Sequence, residues 1–418
     1  MSKNKWFLLR GVVLAFFGAS LVVAQPPHGL KNAGHGVQYV SAGTLTVEQM
    51  RGVLTLGVTG FLTAGFSPSP YSPAELINQF PNPRYPVRLY KVYYNSVIPE
   101  LGNQRIRATG LVAIPDLKES RLPMISYQHG TVFERTSVPS NLPESYETQF
   151  IVAALASQGY AVIAADYFGL GETSVPNTYV VTGATEQACI DMLFASRAVL
   201  KAEDKQASHL FLHGWSMGGY NTFRFLKRLE MMGEAVTAAS TAAAPTDIRV
   251  WISRLMLNPQ PVDALWLVSA ASNMVLAADA YELPGLAREA IRPRYLEAAR
   301  RFYNFEISFE TFFATTPSSF KEFFTPAFFA SAHFGNTAFW NLMEKRENYR
   351  WKITTPLRNF YGEVDEVVPP DVATLPARIA PLFGSTTTTI PAGPKADHRA
   401  TYLYSLTQLP AWHRQFLR

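Results

Sequence analysis

Ser216 stands in HGWSMGG (213–219), between glycines and directly after the apolar run Leu210-Phe211-Leu212. Glycines at 214 and 218 allow a bend so tight that any Cβ there would collide with neighbouring backbone. A serine at the apex then projects as a nucleophile at the positive end of the following helix. A lone hydroxyl is a poor nucleophile near neutral pH, so it needs a base, and the base needs an orienting acid. Of the eight histidines, His333, His398 and His413 follow the serine. His398, in PKADHRA, falls in a loop before the last helix, where an imidazole can reach down to Ser216. His333 lies in a phenylalanine-rich segment and is expected to pack. His413 is expected to be a surface or packing residue of the closing helix. For the acid, YGEVDEVVP offers Glu363, Asp365 and Glu366 beyond a strand end, with Asp365 best placed in G-x-x-D-x-x-V-P. Asp397, beside His398, reads as a loop or helix-capping residue. The backbone N–H of Met217 points toward where an oxyanion would form, and the loop Gln128-His129-Gly130-Thr131 offers a second donor at Thr131. Gly130 permits close approach there, and His129 is expected to hold the loop by hydrogen bonds.

The elements that must position these residues follow from hydrophobic periodicity. VRLYKVYYNS, from Val87, alternates as a half-buried strand, and RATGLVAIP reads as its partner. PMISY (123–127), YAVIAA (160–165) and HLFLH (209–213) are short apolar strands separated by helical stretches, TQFIVAALASQG and about 185–200. YNTFRFLKRLE after the serine is helical, and EAVTAASTAAAP contains another buried run. Strands alternating with helices of ten or more residues predict a mostly parallel sheet covered on both faces, with 87–114 as an antiparallel pair at one edge. The alternation stops at Pro245. Strands resume with LRNFYG (357–362) and TTTTI (386–390), and a helix over about 398–416 closes the chain. Residues 245–350 thus read as a helical cap inserted late in the sheet, with core segments at 87–244 and 351–418. Between 301 and 340, 14 of 40 residues are aromatic, enough either to wall an apolar substrate pocket or to form the cap's own core.

The first 24 residues carry Lys3, Lys5 and Arg10, an apolar run GVVLAFFGASLVV and small residues before Gln25-Pro26-Pro27. That pattern predicts a secretory signal peptide cleaved near Ala24, shorter than the roughly 20 apolar residues of a membrane span. Cleavage leaves a formal charge of +2 from +5, too small to point to nucleic acid. Cys189 is the single cysteine, so no internal disulfide can form, and it reads as a buried structural thiol. Residues 25–86 form an N-terminal extension rich in Gly, Pro, Ser and Asn. A mobile leader accounts for His28 and His35 better than a metal site does. GVLTLGVTGFLTAGF (52–66) has no clear assignment.

Taken together, GWSMGGY, the HGT loop, ADYFGLGET, GEVDEVVP and ADHRA resemble an α/β-hydrolase, over about residues 87–418. Within that superfamily the chain is similar to secreted lipases and esterases with a large cap between the sixth and seventh strands of the family's sheet. The resemblance implies catalytic roles for Ser216, Asp365 and His398, backbone donors at Met217 and Thr131, no metal or cofactor, and a structural role for Asp166. The expected function is hydrolysis of a carboxylic ester with an apolar acyl or aromatic part, a small-molecule or lipid ester, through an acyl-enzyme. The alternatives are a prolyl-oligopeptidase-like serine peptidase, disfavoured because no repeated propeller precedes the sheet, and a non-catalytic binding module on the same fold.

Overall fold

The computed structural model describes residues 29–64 and 68–417; the expected signal peptide and His28 lie outside them. Among the described residues, ten strands form one sheet in the order β1-β2-β3-β4-β6-β5-β7-β8-β9-β10. They are β1 (Lys31–Gly34), β2 (Val37–Leu45), β3 (Val87–Ile98), β4 (Gln104–Pro115), β5 (Arg121–Gln128), β6 (Ala161–Ala165), β7 (Gln206–Trp215), β8 (Ala238–Ala242), β9 (Leu357–Tyr361) and β10 (Thr387–Pro391). Strands β1 to β4 pair antiparallel, and β4 meets β6 antiparallel. From β6 to β10 every pairing is parallel. The inner parallel strands are largely buried on both faces, AVIAA in β6 throughout, because helices cover both sides, whereas β10 at the edge buries no residue fully.

Five helices matter for the site: α1 (Tyr146–Leu155), α2 (Thr182–Ala202), α3 (Met217–Met231), α4 (Ile248–Leu257) and α5 (Leu267–Tyr281). With α6 (His398–His413) they divide between two cores. One face of the sheet packs on α2 and α3, and its core continues without a break into α4, α5 and the helices beyond them. The opposite face packs on α1 and α6. Between β8 and β9 the described residues form helices and loops, apart from one isolated bridge, Ile291 with Phe324. No helix among the described residues is long and apolar enough to cross a membrane.

Two expectations are corrected here. The antiparallel pair β3–β4 is not at the edge of the sheet, because β1 and β2 extend it by two further strands. These come from the segment read as a leader, where VQYVSAGTL alternates buried and partly exposed positions. His35 sits in the turn between them at φ +52°. The unassigned apolar stretch is helical, Val47–Gly52, Val53–Gly57 and Val58–Thr63. It buries Met50, Val53, Leu54, Val58 and Leu62 against the core beside α1 and α6. Thr46 caps this segment, its side chain accepting from Gln49 N–H while Gln49 reaches back to the Thr46 N–H, a reciprocal cap that satisfies two orphan donors.

The phenylalanine-rich segment is core. Phe302, Phe312, Phe323, Phe324, Phe328, Phe339 and Trp340 are buried, with Phe302 and Phe312 stacked 4.4 Å apart. A helix-only insertion has no sheet of its own to pack on, so aromatic area supplies its core.

Candidate active site

Strand β7 ends at Trp215 and α3 begins at Met217, so Ser216 alone makes the turn. It does so at φ 58°, ψ −126°, a conformation that costs a non-glycine residue about 1–3 kcal/mol. The surrounding structure enforces it. Ser216 N–H donates to the Ala242 carbonyl at 2.9 Å, and the flanking glycines leave no room for relaxation. A Cβ at Gly214 would lie 2.2 Å from the Gly218 carbonyl oxygen, and one at Gly218 only 1.9 Å from that of Gln128. Met217 opens α3, so its N–H has no partner within the helix.

Asp365 and His398 meet beside this turn. Asp365 follows β9 and His398 opens α6, yet His398 Nδ1 lies 3.0 Å from each Asp365 carboxylate oxygen. Both residues are buried. The carboxylate is itself fixed, Oδ1 accepting N–H bonds from Val367 at 2.9 Å and Val368 at 2.8 Å. With Nδ1 committed to Asp365, Nε2 is the nitrogen left to face a serine hydroxyl. Trp215 ties the base to the turn: its indole N–H donates to the His398 carbonyl at 3.1 Å, and the two rings lie 5.0 Å apart. Burial works against the imidazolium, but Asp365 foremost, then Glu366 and Asp397, outweighs it and raises the His398 pKa above its ordinary value.

The other candidates separate clearly. Glu366 accepts the backbone N–H of His398 at 3.1 Å, and burial, followed by repulsion from Asp365, raises its pKa. Glu363 is exposed, and Asp397 caps α6 by accepting from Ala400 N–H at 2.8 Å. His333, expected to pack, is exposed instead, on a helix whose buried face is Phe328 and Ala332. His413 is packed, stacked on Phe211 at 4.0 Å, and burial lowers its pKa to about 3. Cys189 is buried and free.

The loop after β5 lies under the turn. His129 is buried, Nδ1 2.9 Å from the Gly130 carbonyl oxygen and Nε2 3.2 Å from that of Asp166. Its ring stacks on Tyr167 at 4.2 Å. Burial, stronger than these two carbonyl contacts, lowers its pKa to about 4, so the ring is neutral and donates to one of the two carbonyls, the nearer being that of Gly130. Asp166 is structural, accepting from Thr109 at 2.6 Å and from Ser140 N–H at 2.8 Å. The hydroxyls of Thr131 and Tyr179 are bonded at 2.8 Å. Missed by the sequence reading was Glu147, a buried carboxyl whose Oε1 accepts the Gly130 N–H at 2.7 Å. Its place on an apolar helix carried no signal that it would face this loop.

Ser216, Met217 and Thr131 line one apolar pocket with Tyr179, Tyr220, Trp251, Trp266, Met274, Val367 and Val368. Its cap-side wall therefore comes from α4, α5 and Trp266 just before α5, and none of its lining comes from the phenylalanine-rich segment.

The comparisons agree with this architecture. A family model described as serine aminopeptidase, S33, matches residues 144–280. A candidate hydrolase from Legionella pneumophila shares 22% identity at a TM-score of 0.79, over 94% of this chain and 99% of that one. The chain has the α/β-hydrolase fold. Within that fold, the rice cell wall degrading esterase LipA of Xanthomonas oryzae aligns at a TM-score of 0.73 and 18% identity, over 91% of this chain and 95% of that one. Candida antarctica lipase A in its closed state aligns at 0.58 and 17%, over 75% and 73%. No curated protein matches this hydrolase-fold chain by sequence.

Proposed function

We propose that this protein is a secreted serine hydrolase of carboxylic esters whose acyl or aromatic part is apolar. The observation that carries the reading is a serine held in a strained turn that lines an apolar pocket, beside an imidazole bonded through Nδ1 to a buried carboxylate. Ser216 Oγ attacks the ester carbonyl while His398 Nε2 takes its proton, and Asp365 holds the ring and stabilises the imidazolium. The N–H groups of Met217 and Thr131 bind the oxyanion. His398 then protonates the departing alcohol, leaving an acyl-enzyme. A water deprotonated by His398 releases the acid and restores the serine. No step draws on a metal or cofactor.

Residues 245–350 act as the cap of this site. The pocket measures about 20 Å³, room for roughly one water molecule. An acyl chain enters only when the cap side shifts, and Trp266 is the side chain placed to move. Trp251 is pinned by its indole N–H to the Val367 carbonyl at 2.8 Å, whereas Trp266 is partly exposed and makes a ring contact with Phe133.

The aminopeptidase description of the matching family model favours a second reading, peptide hydrolysis. An aminopeptidase must pair the substrate's α-ammonium group, because an unpaired buried charge is costly. No carboxylate lines the pocket among the described residues, which supports the ester. The deciding experiment is hydrolysis of p-nitrophenyl esters from acetate to palmitate by the wild type and Ser216→Ala, with aminoacyl-p-nitroanilides in parallel. Ester turnover lost in the variant supports the reading; anilide turnover alone overturns it. Secretion is tested by the N-terminal sequence of the exported protein, expected to begin at Gln25.

A further inference from the structure

We infer that Glu147 is a positioning residue for this site: uncharged, its carboxyl fixes the oxyanion loop, and charged, it opposes the oxyanion. The inference rests on the ester-hydrolase reading. Glu147 lies in the first turn of α1, and its main-chain carbonyl accepts the Tyr402 hydroxyl at 2.5 Å. That contact anchors it to α6, the helix that begins with His398. Its carboxyl holds the N–H of Gly130 at 2.7 Å. The next peptide, which carries the Thr131 N–H, has its carbonyl held by His129 at 2.9 Å. Two consecutive peptide planes are thus clamped from below, and the Thr131 N–H cannot swing away. A Cβ at Gly130 would lie 3.1 Å from Glu147 Oε2 and 3.3 Å from the Trp215 ring. The carboxyl therefore packs against the loop at the point where the loop meets the residue preceding Ser216.

No lysine or arginine pairs with this carboxyl among the described residues, and the nearest basic group is His129 at 4.0 Å. The other titratable groups facing it are Tyr127 on β5, Tyr167 after β6, and His398 and Tyr402 on α6. Burial drives its pKa up to about 8, against the pull of the Gly130 N–H, Tyr127 and His398. Below that pH the group is a neutral hydrogen-bond acceptor. Above it, a second buried anion behind the oxyanion loop opposes the forming oxyanion. That effect lowers turnover on the alkaline side.

The test is kcat and KM for a short p-nitrophenyl ester between pH 5 and 10, in the wild type, Glu147→Gln and Glu147→Ala. The wild type should lose activity above about pH 8, and Glu147→Gln should lack that alkaline limb. Glu147→Ala should lower kcat at least tenfold with KM within twofold, and Glu147→Gln should recover most of that loss. An alkaline limb that persists in Glu147→Gln, or an alanine variant with kcat within twofold of wild type, overturns the inference. Infrared titration decides independently of turnover: a protonated-carboxyl band at pH 7 that disappears in Glu147→Gln is expected, and its absence overturns the inference. If the wild type hydrolyses no ester, the ester reading fails by itself, while the infrared result still stands for or against Glu147.

Discussion

Replacing Asp365 with asparagine separates the orienting acid from its carboxylate neighbour Glu366. The asparagine is isosteric, and its oxygen can still accept the N–H groups of Val367 and Val368 that Asp365 holds at 2.9 and 2.8 Å. The fold should therefore survive. The amide then presents its N–H toward His398 Nδ1, which favours the tautomer that carries its proton on Nε2, where a general base must be bare. Loss of the orienting carboxylate in such a triad costs about ten-thousand-fold in kcat, or about 5 kcal/mol of transition-state stabilisation. Glu366 touches His398 through the backbone N–H alone, so Glu366→Gln should cost less than about tenfold, the scale of one neutralised hydrogen bond. The pH profile gives a second reading. Burial lowers the His398 pKa and Asp365 is the largest influence raising it, so the acid limb of kcat/KM should move to lower pH in Asp365→Asn. Steady-state kinetics on a short p-nitrophenyl ester from pH 4 to 9 measures both quantities. A loss below tenfold in Asp365→Asn, or a larger loss in Glu366→Gln, refutes the assignment of the acid.

Three further perturbations probe the scaffold and the pocket. Gly218→Ala places a methyl 1.9 Å from the Gln128 carbonyl oxygen; it should abolish activity and lower stability by about 3 kcal/mol, at the upper end for overpacking, as read by urea unfolding. Trp266→Ala removes the movable wall of a pocket of about 20 Å³, and should raise kcat/KM for octanoate relative to acetate at least tenfold; an unchanged ratio rules Trp266 out as the limit on chain length. Glu203 joins the end of α2 to β1 and β3 through Lys31, Arg88 and the Tyr90 hydroxyl. Burial opposes its charge, but the bonds from Lys31, Tyr90 and Tyr39 outweigh it and lower its pKa to about 2. The contribution is complete above pH 4.5 and fades as pH falls toward 2. Glu203→Gln should therefore lose about 1 kcal/mol at pH 6 and little at pH 2, measured by chemical denaturation at both.

The fold class and the residues that meet at the candidate site were legible in the sequence; some of the elements around them were not. Ser216 was readable because a turn this tight tolerates few residue types, and Asp365 and His398 because chain order and strand ends limit where an acid and a base can stand. Strands β5 to β9 were visible through short apolar runs, since a sheet covered on both faces leaves no polar alternation to blur them, and β3 was visible by its alternation. Strands β1 and β2 were hidden by their glycines and serines: an edge hairpin buries one face only, and its polar face resembles a loop. The aromatic segment left two readings open. Composition shows that Phe302 and Phe312 must be buried, but whether against a ligand or against each other is set by tertiary packing. Glu147 was invisible for the same reason, a carboxyl whose meaning comes from Gly130, which lies 17 residues earlier and across the fold.

The most direct test of the central claim is intact and peptide mass spectrometry after reaction with a fluorophosphonate, which needs an activated serine but no knowledge of the substrate. The account predicts a single adduct on the peptide containing Ser216, absent in Ser216→Ala and formed at least a hundredfold more slowly in His398→Ala. An adduct at another residue, or an equal labelling rate without His398, contradicts it.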